Sequence, residues 1–350
     1  MIISYIDPKS DKIITRETVV CTNKNISFYK YYCCNKKIDD MFMQAEELLF
    51  CGVNSHYTTR YIPKSHGGFR RIDVPDDTLK QYMDKVKHWI TEEINFLFPE
   101  CVGAYVKHRS PKDAVRIHAG QYAIAKFDIK DFFGNCTIET LMFALSKIYP
   151  FCMMEEKILT TIMKACMIEY DGTYRLPQGA PTSPILSNLA MIPVDLKLST
   201  YAYTKGYKYS RYADDMFFSM SIQANSVTFG NVCSEVLKAL ATTSFSINES
   251  KTRYMKTKKG NVWMLGVSVG DKLKIGSENK QKVKAMIWTL LKDTKDGNIW
   301  TAERLYPVIG KINYYRYIEP DFVESVISKY ERKTGICYDK TVKNILHPNG

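Results

Sequence analysis

Two adjacent carboxylates, Asp214 and Asp215, stand between two runs of aromatic and β-type residues. The first run is Tyr207-Lys208-Tyr209-Ser210-Arg211-Tyr212, and the second is Met216-Phe217-Phe218-Ser219-Met220. Two such runs around a short break predict a β-hairpin with Tyr212-Ala213-Asp214-Asp215 at its tip. Neighbouring like charges repel, so stability alone does not place two carboxylates there. A divalent cation removes the objection, because Mg²⁺ takes hard oxygen ligands. A metal held by open carboxylates in turn calls for phosphate chemistry.

The rest of the composition agrees with a phosphate-rich partner. Formal net charge is +12, and residues 251–300 hold 12 lysines and arginines against 4 acids. A chain this basic points to nucleic acid or to an anionic membrane. No apolar run approaches the roughly 18 residues of a membrane span, so no membrane is expected. The start, Met1-Ile2-Ile3-Ser4-Tyr5, lacks a charged region followed by a long apolar stretch, so no secretory leader is expected. The 10 cysteines are scattered, with no C-x-x-C pair, and read as reduced thiols of a cytoplasmic protein. Cys33, Cys34, Cys51, His56 and His66 cluster in sequence, but their spacing fits no usual zinc pattern. With 350 residues and 45% hydrophobic content, the chain can bury a sizeable core in about two to three domain-sized pieces.

Strands and helices mix along most of the chain, with no internal repeat. Residues 1–60 show no clear period. Gly67-Gly68 opens a turn into a strand, Phe69 to Val74, stopped by Pro75. Leu79, Met83, Val86, Ile90 and Ile94 recur at helical spacing and predict a helix over 77–98. Ala123 to Phe127 reads as a strand ending at Asp128. Helices are expected over 137–149, 153–168, Pro181 to Leu198 and 228–242. A polar turn at Asn248-Glu249-Ser250-Lys251 precedes a second hairpin, Val262 to Ile275, turning at Gly270-Asp271. Beyond it the pattern is helical, with Ser277 as a candidate N-cap. A boundary is therefore expected near 275, dividing the chain into 1–275 and 276–350.

Asp128 stands at a strand end, and a sheet can gather strand ends and hairpin tips at one edge. Three carboxylates at that edge could hold two metal ions for an in-line displacement at phosphorus. Short patterns of this size arise by chance, so the surrounding residues decide. Phe127-Asp128-Ile129-Lys130-Asp131-Phe132-Phe133 resembles the first palm motif of reverse transcriptases. Leu176-Pro177-Gln178-Gly179-Ala180-Pro181-Thr182-Ser183-Pro184 is similar to their second, and Tyr212 to Asp215 to their catalytic turn. Gly67 to Pro75 resembles the basic fingers strand, and Asn248 to Thr252 the motif after the catalytic hairpin. Met264-Leu265-Gly266-Val267 stands where a primer-gripping hairpin belongs, and Gly310-Lys311-Ile312-Asn313-Tyr314-Tyr315 is similar to a thumb helix. The motifs fall in the family's order and span about residues 65–320.

The resemblance implies an α+β right-hand polymerase: fingers and palm over 1–275, with a mixed α/β palm on an antiparallel sheet, and a helical thumb over 276–350. It implies an RNA-directed DNA polymerase with two Mg²⁺ ions, Mn²⁺ being a possible substitute. Asp128, Asp214 and Asp215 would be the metal carboxylates, with Ile129 beside Asp128 in the metal set. Asp131 would lie near the incoming triphosphate. Phe133 occupies the steric-gate position, where a ring under the sugar excludes a 2′-hydroxyl; the other reading is a core phenylalanine. Gln178 would touch the nucleotide. Arg70 or Arg71 would clamp the triphosphate, and one residue of register decides which side chain faces inward. Lys251 would protonate the pyrophosphate leaving group, unless it is one more solvated lysine. Residues 251–300 would track a template–primer duplex, and Trp263 and Tyr254 would either stack on it or fill the gap behind the sheet.

Length and layout look most like bacterial retron enzymes and their defence-associated relatives. Arg109 to His118 resembles a retron segment, although Ala114-Val115 stands where Asn-Ala is expected, and Leu265-Gly266-Val267 stands where retrons tend to have Val-Thr-Gly. The implied partners are a structured non-coding RNA as template or primer, deoxynucleotides and a DNA product. A homo-oligomer or an effector protein is a further possibility, and antiphage defence is the implied role. An RNA-binding or splicing-type protein that kept the fold without the chemistry is the alternative.

Overall fold

The computed structural model of the chain describes residues 2–6, 13–17, 36–64, 67–93, 96–221, 225–257 and 262–347. In chain order the first elements are β1 (Ile2–Ile6), β2 (Ile13–Glu17), α1 (Lys36–Phe50), β3 (Tyr57–Pro63), β4 (Phe69–Pro75), α2 (Asp77–His88), α3 (Pro111–Arg116) and β5 (Ala123–Asp128). There follow α4 (Ile138–Leu145), α5 (Glu156–Lys164), β6 (Ile168–Tyr170), β7 (Thr173–Arg175), α6 (Ser183–Lys205), β8 (Lys208–Tyr212), β9 (Asp215–Met220), α7 (Ser226–Leu240) and β10 (Arg253–Lys256). The last are β11 (Val262–Met264), β12 (Val267–Val269), β13 (Leu273–Lys274), α8 (Ser277–Lys295), α9 (Ala302–Ile318), α10 (Pro320–Thr334) and α11 (Tyr338–Leu346). The mixture of helices with antiparallel hairpins is the α+β class that the sequence implied. No helix of the described residues is long and apolar enough to cross a membrane.

The chain divides into two compact units. One comprises Met1–Ser110, Ala125–Ser219 and Ala224–Tyr254, and the other Pro111–Ile124, Met220–Gln223 and Met255–Gly350.

In the first unit, β3 and β4 form an antiparallel ribbon in which Tyr57 faces Pro75 and Pro63 faces Phe69. β3 escaped the sequence reading because all but its first residue is exposed, so it has no buried face to alternate. Pro75 sits at the strand end, where a missing N–H disturbs little. α2 starts where the Asp76 carboxylate accepts the Leu79 N–H at 2.8 Å. It ends ten residues before the expected limit of 98, at His88, and passes into a π-helical turn, Trp89–Glu93. α4 and α5 are likewise shorter than expected, and at Ile168, where α5 was expected to end, the chain instead enters the β6–β7 hairpin. Its turn, Asp171-Gly172, has φ of 51° and 73°, both left-handed, and Asp-Gly is the dipeptide that favours such turns. α6 begins two residues after Pro181 and runs on to Lys205, where Gly206 at φ 67° ends it. It is buried on most sides, with α4, α7 and β8 packed against it. The main sheet has the order β10-β5-β9-β8.

In the second unit the expected two-stranded hairpin over Val262 to Ile275 is a three-stranded meander, β11-β12-β13. The additional turn is Leu265-Gly266, with φ of 51° and 79°, at the place where the family resemblance put a hairpin. Gly270-Asp271-Lys272 then connects the second and third strands, so the two-residue turn expected at Gly270-Asp271 is one residue longer. Ser277 is the first helical residue of α8 rather than its cap; the cap position is Gly276, which makes no side-chain hydrogen bond. The Trp263 ring lies so close over Gly276 that any Cβ there would collide with it, which explains the glycine. α8, α9, α10 and α11 then pack on one another as a helical group.

Candidate active site

The sheet brings the sequence-predicted carboxylates to one edge, within the first unit. β5 ends at Asp128, and the next N–H, that of Ile129, donates to the Asp214 carbonyl at 2.9 Å. Tyr212 pairs with Asp215, so Ala213 and Asp214 are the two turn residues of the β8–β9 hairpin. After α7 the chain returns antiparallel to Ile129, and the Asn248 N–H donates to the Asp128 carbonyl at 2.7 Å. A short 3-10 turn, Glu249–Lys251, then places Lys251 Nζ 3.2 Å from Asp128 Oδ2. Lys251 is 60% exposed whereas Asp128 is buried, so the ammonium reaches in from solvent.

A second lysine completes the charge balance. Lys126 Nζ lies 2.8 Å from Asp215 Oδ1. Lys126 and Asp128 stand two apart on β5 and therefore share a face. That period-two relation was readable in the sequence and was missed. Burial is the first cause that raises the Asp214 carboxyl above its usual range, and the nearby Asp128 charge adds to it. Burial also raises Asp215, with Asp214 and Asp128 acting in the same sense and Lys126 opposing them. The edge is thus a cluster of hard oxygens short of positive charge, which suits a divalent cation. Among the described residues, no three or more His, Cys, Asp or Glu side chains are placed to hold a metal as they stand. Asp128 and Asp215 each have an ammonium group as partner.

The turn itself rests on a buried network that the sequence reading did not foresee. Arg211 and Asp195 are fully buried and paired side to side, with Nε to Oδ1 at 2.9 Å and Nη2 to Oδ2 at 2.7 Å. Arg211 Nη1 donates to Asn188 Oδ1 at 3.0 Å and to the Ala213 carbonyl at 3.1 Å. The Tyr209 hydroxyl donates to Asp195 Oδ1 at 2.8 Å. A lone acid inside the apolar helix 181–198, followed by a lone arginine in an aromatic strand, was the available signal.

The residues proposed around the nucleotide separate by environment. Arg71 is engaged: its Nε lies 2.8 Å from Asp73 Oδ1, and its guanidinium lies over the Tyr170 ring. Arg70, one residue earlier, points to the other face of the ribbon and is exposed. Arg70 and Asp214 both act electrostatically on the hydroxyl of the exposed Tyr105, which desolvation, before either charge, raises above its usual range. Gln178 is tied to β4 through its carbonyl, which accepts the Asp73 N–H at 2.7 Å. Phe132 is buried against Phe245, whereas Phe133 is half-buried with its ring 6.4 Å from that of Tyr105. Asp131, at φ 41°, folds its carboxylate back over Gly134, where it would collide with any Cβ. Tyr254 packs on Phe229 at 5.4 Å, while Trp263 is 48% exposed. Lys258 and Lys259 of the basic stretch lie outside the described residues, as do Cys33, Cys34 and His66.

A family model described as reverse transcriptase (RNA-dependent DNA polymerase) matches residues 62–269. The retron Mx65 reverse transcriptase of Myxococcus xanthus is 31% identical over 248 residues, which cover 66% of this chain and 55% of that protein. The retron Ec83 reverse transcriptase of Escherichia coli is 27% identical over 286 residues, covering 80% of this chain and 88% of that protein. This chain thus spans just over half the length of the Myxococcus relative. Among solved structures, apo telomerase from Candida tropicalis is similar with a TM-score of 0.47 at 12% identity, over 83% of this chain and 60% of that one. Family membership implies dependence on a divalent metal. With the match covering more than half of its residues, the chain belongs to the reverse transcriptase family.

Proposed function

We propose that this chain is an RNA-directed DNA polymerase of the retron type. The observation that carries the reading is the meeting of Asp128, Asp214 and Asp215 at one sheet edge, with Lys126 and Lys251 against two of them. A fold kept only for binding RNA would have no reason to hold three carboxylates where burial and mutual repulsion raise two of them. Asp128, Asp214 and Asp215 would hold two Mg²⁺ ions, or Mn²⁺ in their place, beside the Ile129 main chain. The ions, when bound, supply activation of the attacking hydroxyl and charge stabilisation at the leaving oxygens.

The chain's own groups supply the rest. Lys251 is exposed enough to meet a triphosphate while held beside Asp128, so it can deliver a proton to the departing pyrophosphate. Arg70, unlike Arg71, has its guanidinium available for the phosphate oxygens. Phe133 presents a half-buried ring to the sugar and disfavours a 2′-hydroxyl. Gln178, pinned to β4, and Asp131, folded onto its own loop, border the nucleotide.

The template or primer is a dedicated structured RNA, bound partly through the basic residues of 251–300, and the product is DNA. Residues 276–350 serve as the thumb and 1–275 as fingers and palm. The protein works in the cytoplasm, in defence against phage, a role that rests on the likeness to retron and defence-associated enzymes.

Asp128→Ala or Asp214→Ala should abolish deoxynucleotide incorporation while leaving RNA binding nearly intact. Sequencing the RNA that copurifies from the native host should return one abundant species. Retained polymerisation in a carboxylate variant overturns the site. A parent protein inactive on every primed RNA template would leave an RNA-binding protein with a polymerase fold.

A further inference from the structure

The buried arginine behind the turn has no part in the chemistry as described, and its placement is costly. A fully buried charge is tolerated only when paired and hydrogen-bonded, and an apolar pair of similar volume is often as stable. Arg211 and Asp195 are both 0% exposed. Their pairing joins α6 to β8 through two parallel hydrogen bonds. Four further bonds extend it, from Tyr209 to Asp195, from Arg211 to Asn188, from Asn188 Nδ2 to the Ala104 carbonyl at 2.8 Å, and from Arg211 to the Ala213 carbonyl. The last of these grips the residue that needs gripping. Ala213 is at φ 55°, a left-handed region that residues with a Cβ seldom enter. It is also the residue immediately before Asp214. The backbone of Arg211 is clamped as well: its N–H donates to the Cys101 carbonyl and its carbonyl accepts from Gly103 N–H, both at 2.7 Å.

We propose that Arg211, oriented by Asp195 and Asn188, is a positioning residue that holds Ala213 in its left-handed conformation and so fixes where the Asp214 and Asp215 carboxylates point. A planar fork can do this and a point charge cannot. Two guanidinium nitrogens bind the carboxylate while the third is aimed at the turn, whereas a lysine ammonium in the same space would have to choose. The inference rests on the polymerase reading above and adds a part that acts through other residues.

The test is Arg211→Lys in the full chain, which keeps a cation beside Asp195. Three quantities are read: thermal stability, single-turnover incorporation with separate rate and nucleotide affinity, and Mn²⁺ binding by electron paramagnetic resonance without nucleotide. The expected result is a folded protein whose rate falls about 10- to 100-fold, the scale of a small misplacement of reacting groups. Nucleotide affinity should change less than about threefold, and Mn²⁺ binding should weaken by more than that. Should the lysine variant not fold, the triple variant Tyr209→Phe, Asp195→Leu, Arg211→Met removes both charges and the hydroxyl together, and the same losses are expected of it. A folded variant of either kind that keeps the parental rate and Mn²⁺ affinity overturns the proposal and leaves Arg211 a structural residue. A parent protein without incorporation but with Mn²⁺ binding lost in the variant refutes the polymerase reading and not this one.

Discussion

Gly179→Ala should damage this protein far more than one added methyl group suggests. Gly179 sits at φ 119°, which side chains rarely adopt. The strain alone is about 1–3 kcal/mol. A Cβ there would also stand 2.8 Å from the Asp73 carbonyl and 2.9 Å from Ile72 Cγ2. The carbonyl belongs to β4, which is registered against β3, so it cannot give way as a flexible side chain would. Overpacking of this kind adds about 1–3 kcal/mol, for a total near 2–6 kcal/mol. Relief requires the loop to lift from β4 and give up the 2.7 Å bond from Asp73 N–H to the Gln178 carbonyl. Gln178 would then move relative to Arg70, and nucleotide affinity should fall about tenfold. Gly172→Ala is the control: its φ is 73° but nothing lies within 4 Å of its Cβ position, so only about 1–2 kcal/mol of backbone strain applies. Urea unfolding of the two variants, with nucleotide titration in single turnover, reads both effects. Equal stabilities for the two, or a Gly179→Ala protein with parental nucleotide affinity, would refute the reasoning.

Two further outcomes follow from the site. Phe133→Val should admit ribonucleotides, raising the ribo- to deoxynucleotide incorporation ratio by about tenfold or more, as the proposed steric-gate role of this half-buried ring requires; an unchanged ratio makes Phe133 a packing residue only. Lys251→Leu should slow single-turnover chemistry about 10²-fold and alter its pH profile with modest loss of nucleotide affinity, as expected for a proton donor; loss of affinity at the parental rate would make it a binding residue.

Much of this site was legible in the sequence because its parts are local. A strand ending in an acid, a two-residue turn between aromatic strands and an Asn-Glu-Ser-Lys turn are each specified within a few residues. Their meeting then follows from the antiparallel order of one sheet. What could not be read depends on contacts distant in sequence. Arg211 and Asp195 are 16 residues apart and each looks like an ordinary charge until both are seen at 0% exposure. The choice between Arg70 and Arg71 needed the face of β4, and an exposed ribbon carries no alternation to set it. β3 was invisible for the same reason. The Leu265-Gly266 turn was marked only by the family resemblance, because Gly270-Asp271 is the stronger dipeptide signal, although the chain turns at both places.

The crowding that suits these carboxylates to a metal should also make them a liability without one. Burial and neighbouring acids raise the pKa of Asp214 from its usual value of 3.8, and Asp215 likewise. The folded chain therefore binds these protons more tightly than the unfolded chain does. Stability from this source is fully present below the unfolded value and is lost as pH rises through the higher folded one. At neutral pH the site is accordingly strained, and a bound divalent cation should relieve it. Asp215 shares its charge with Lys126, so neutralising it would orphan an ammonium. Asp214 has no such ion pair among the described residues, and asparagine keeps its shape. Asp214→Asn should thus raise the melting temperature at neutral pH in the absence of divalent metal while abolishing incorporation. The gain should shrink when Mg²⁺ is added to the parent, and again as pH falls toward the usual carboxylate value of 3.8, which lies below the raised folded value, so that the parent carboxyl is protonated there. Melting curves of parent and variant, with and without Mg²⁺ at both pH values, measure this directly. A variant that melts below its parent at neutral pH without metal would mean that the three carboxylates are already balanced by Lys126 and Lys251, and that the site does not need a divalent ion to settle its charge.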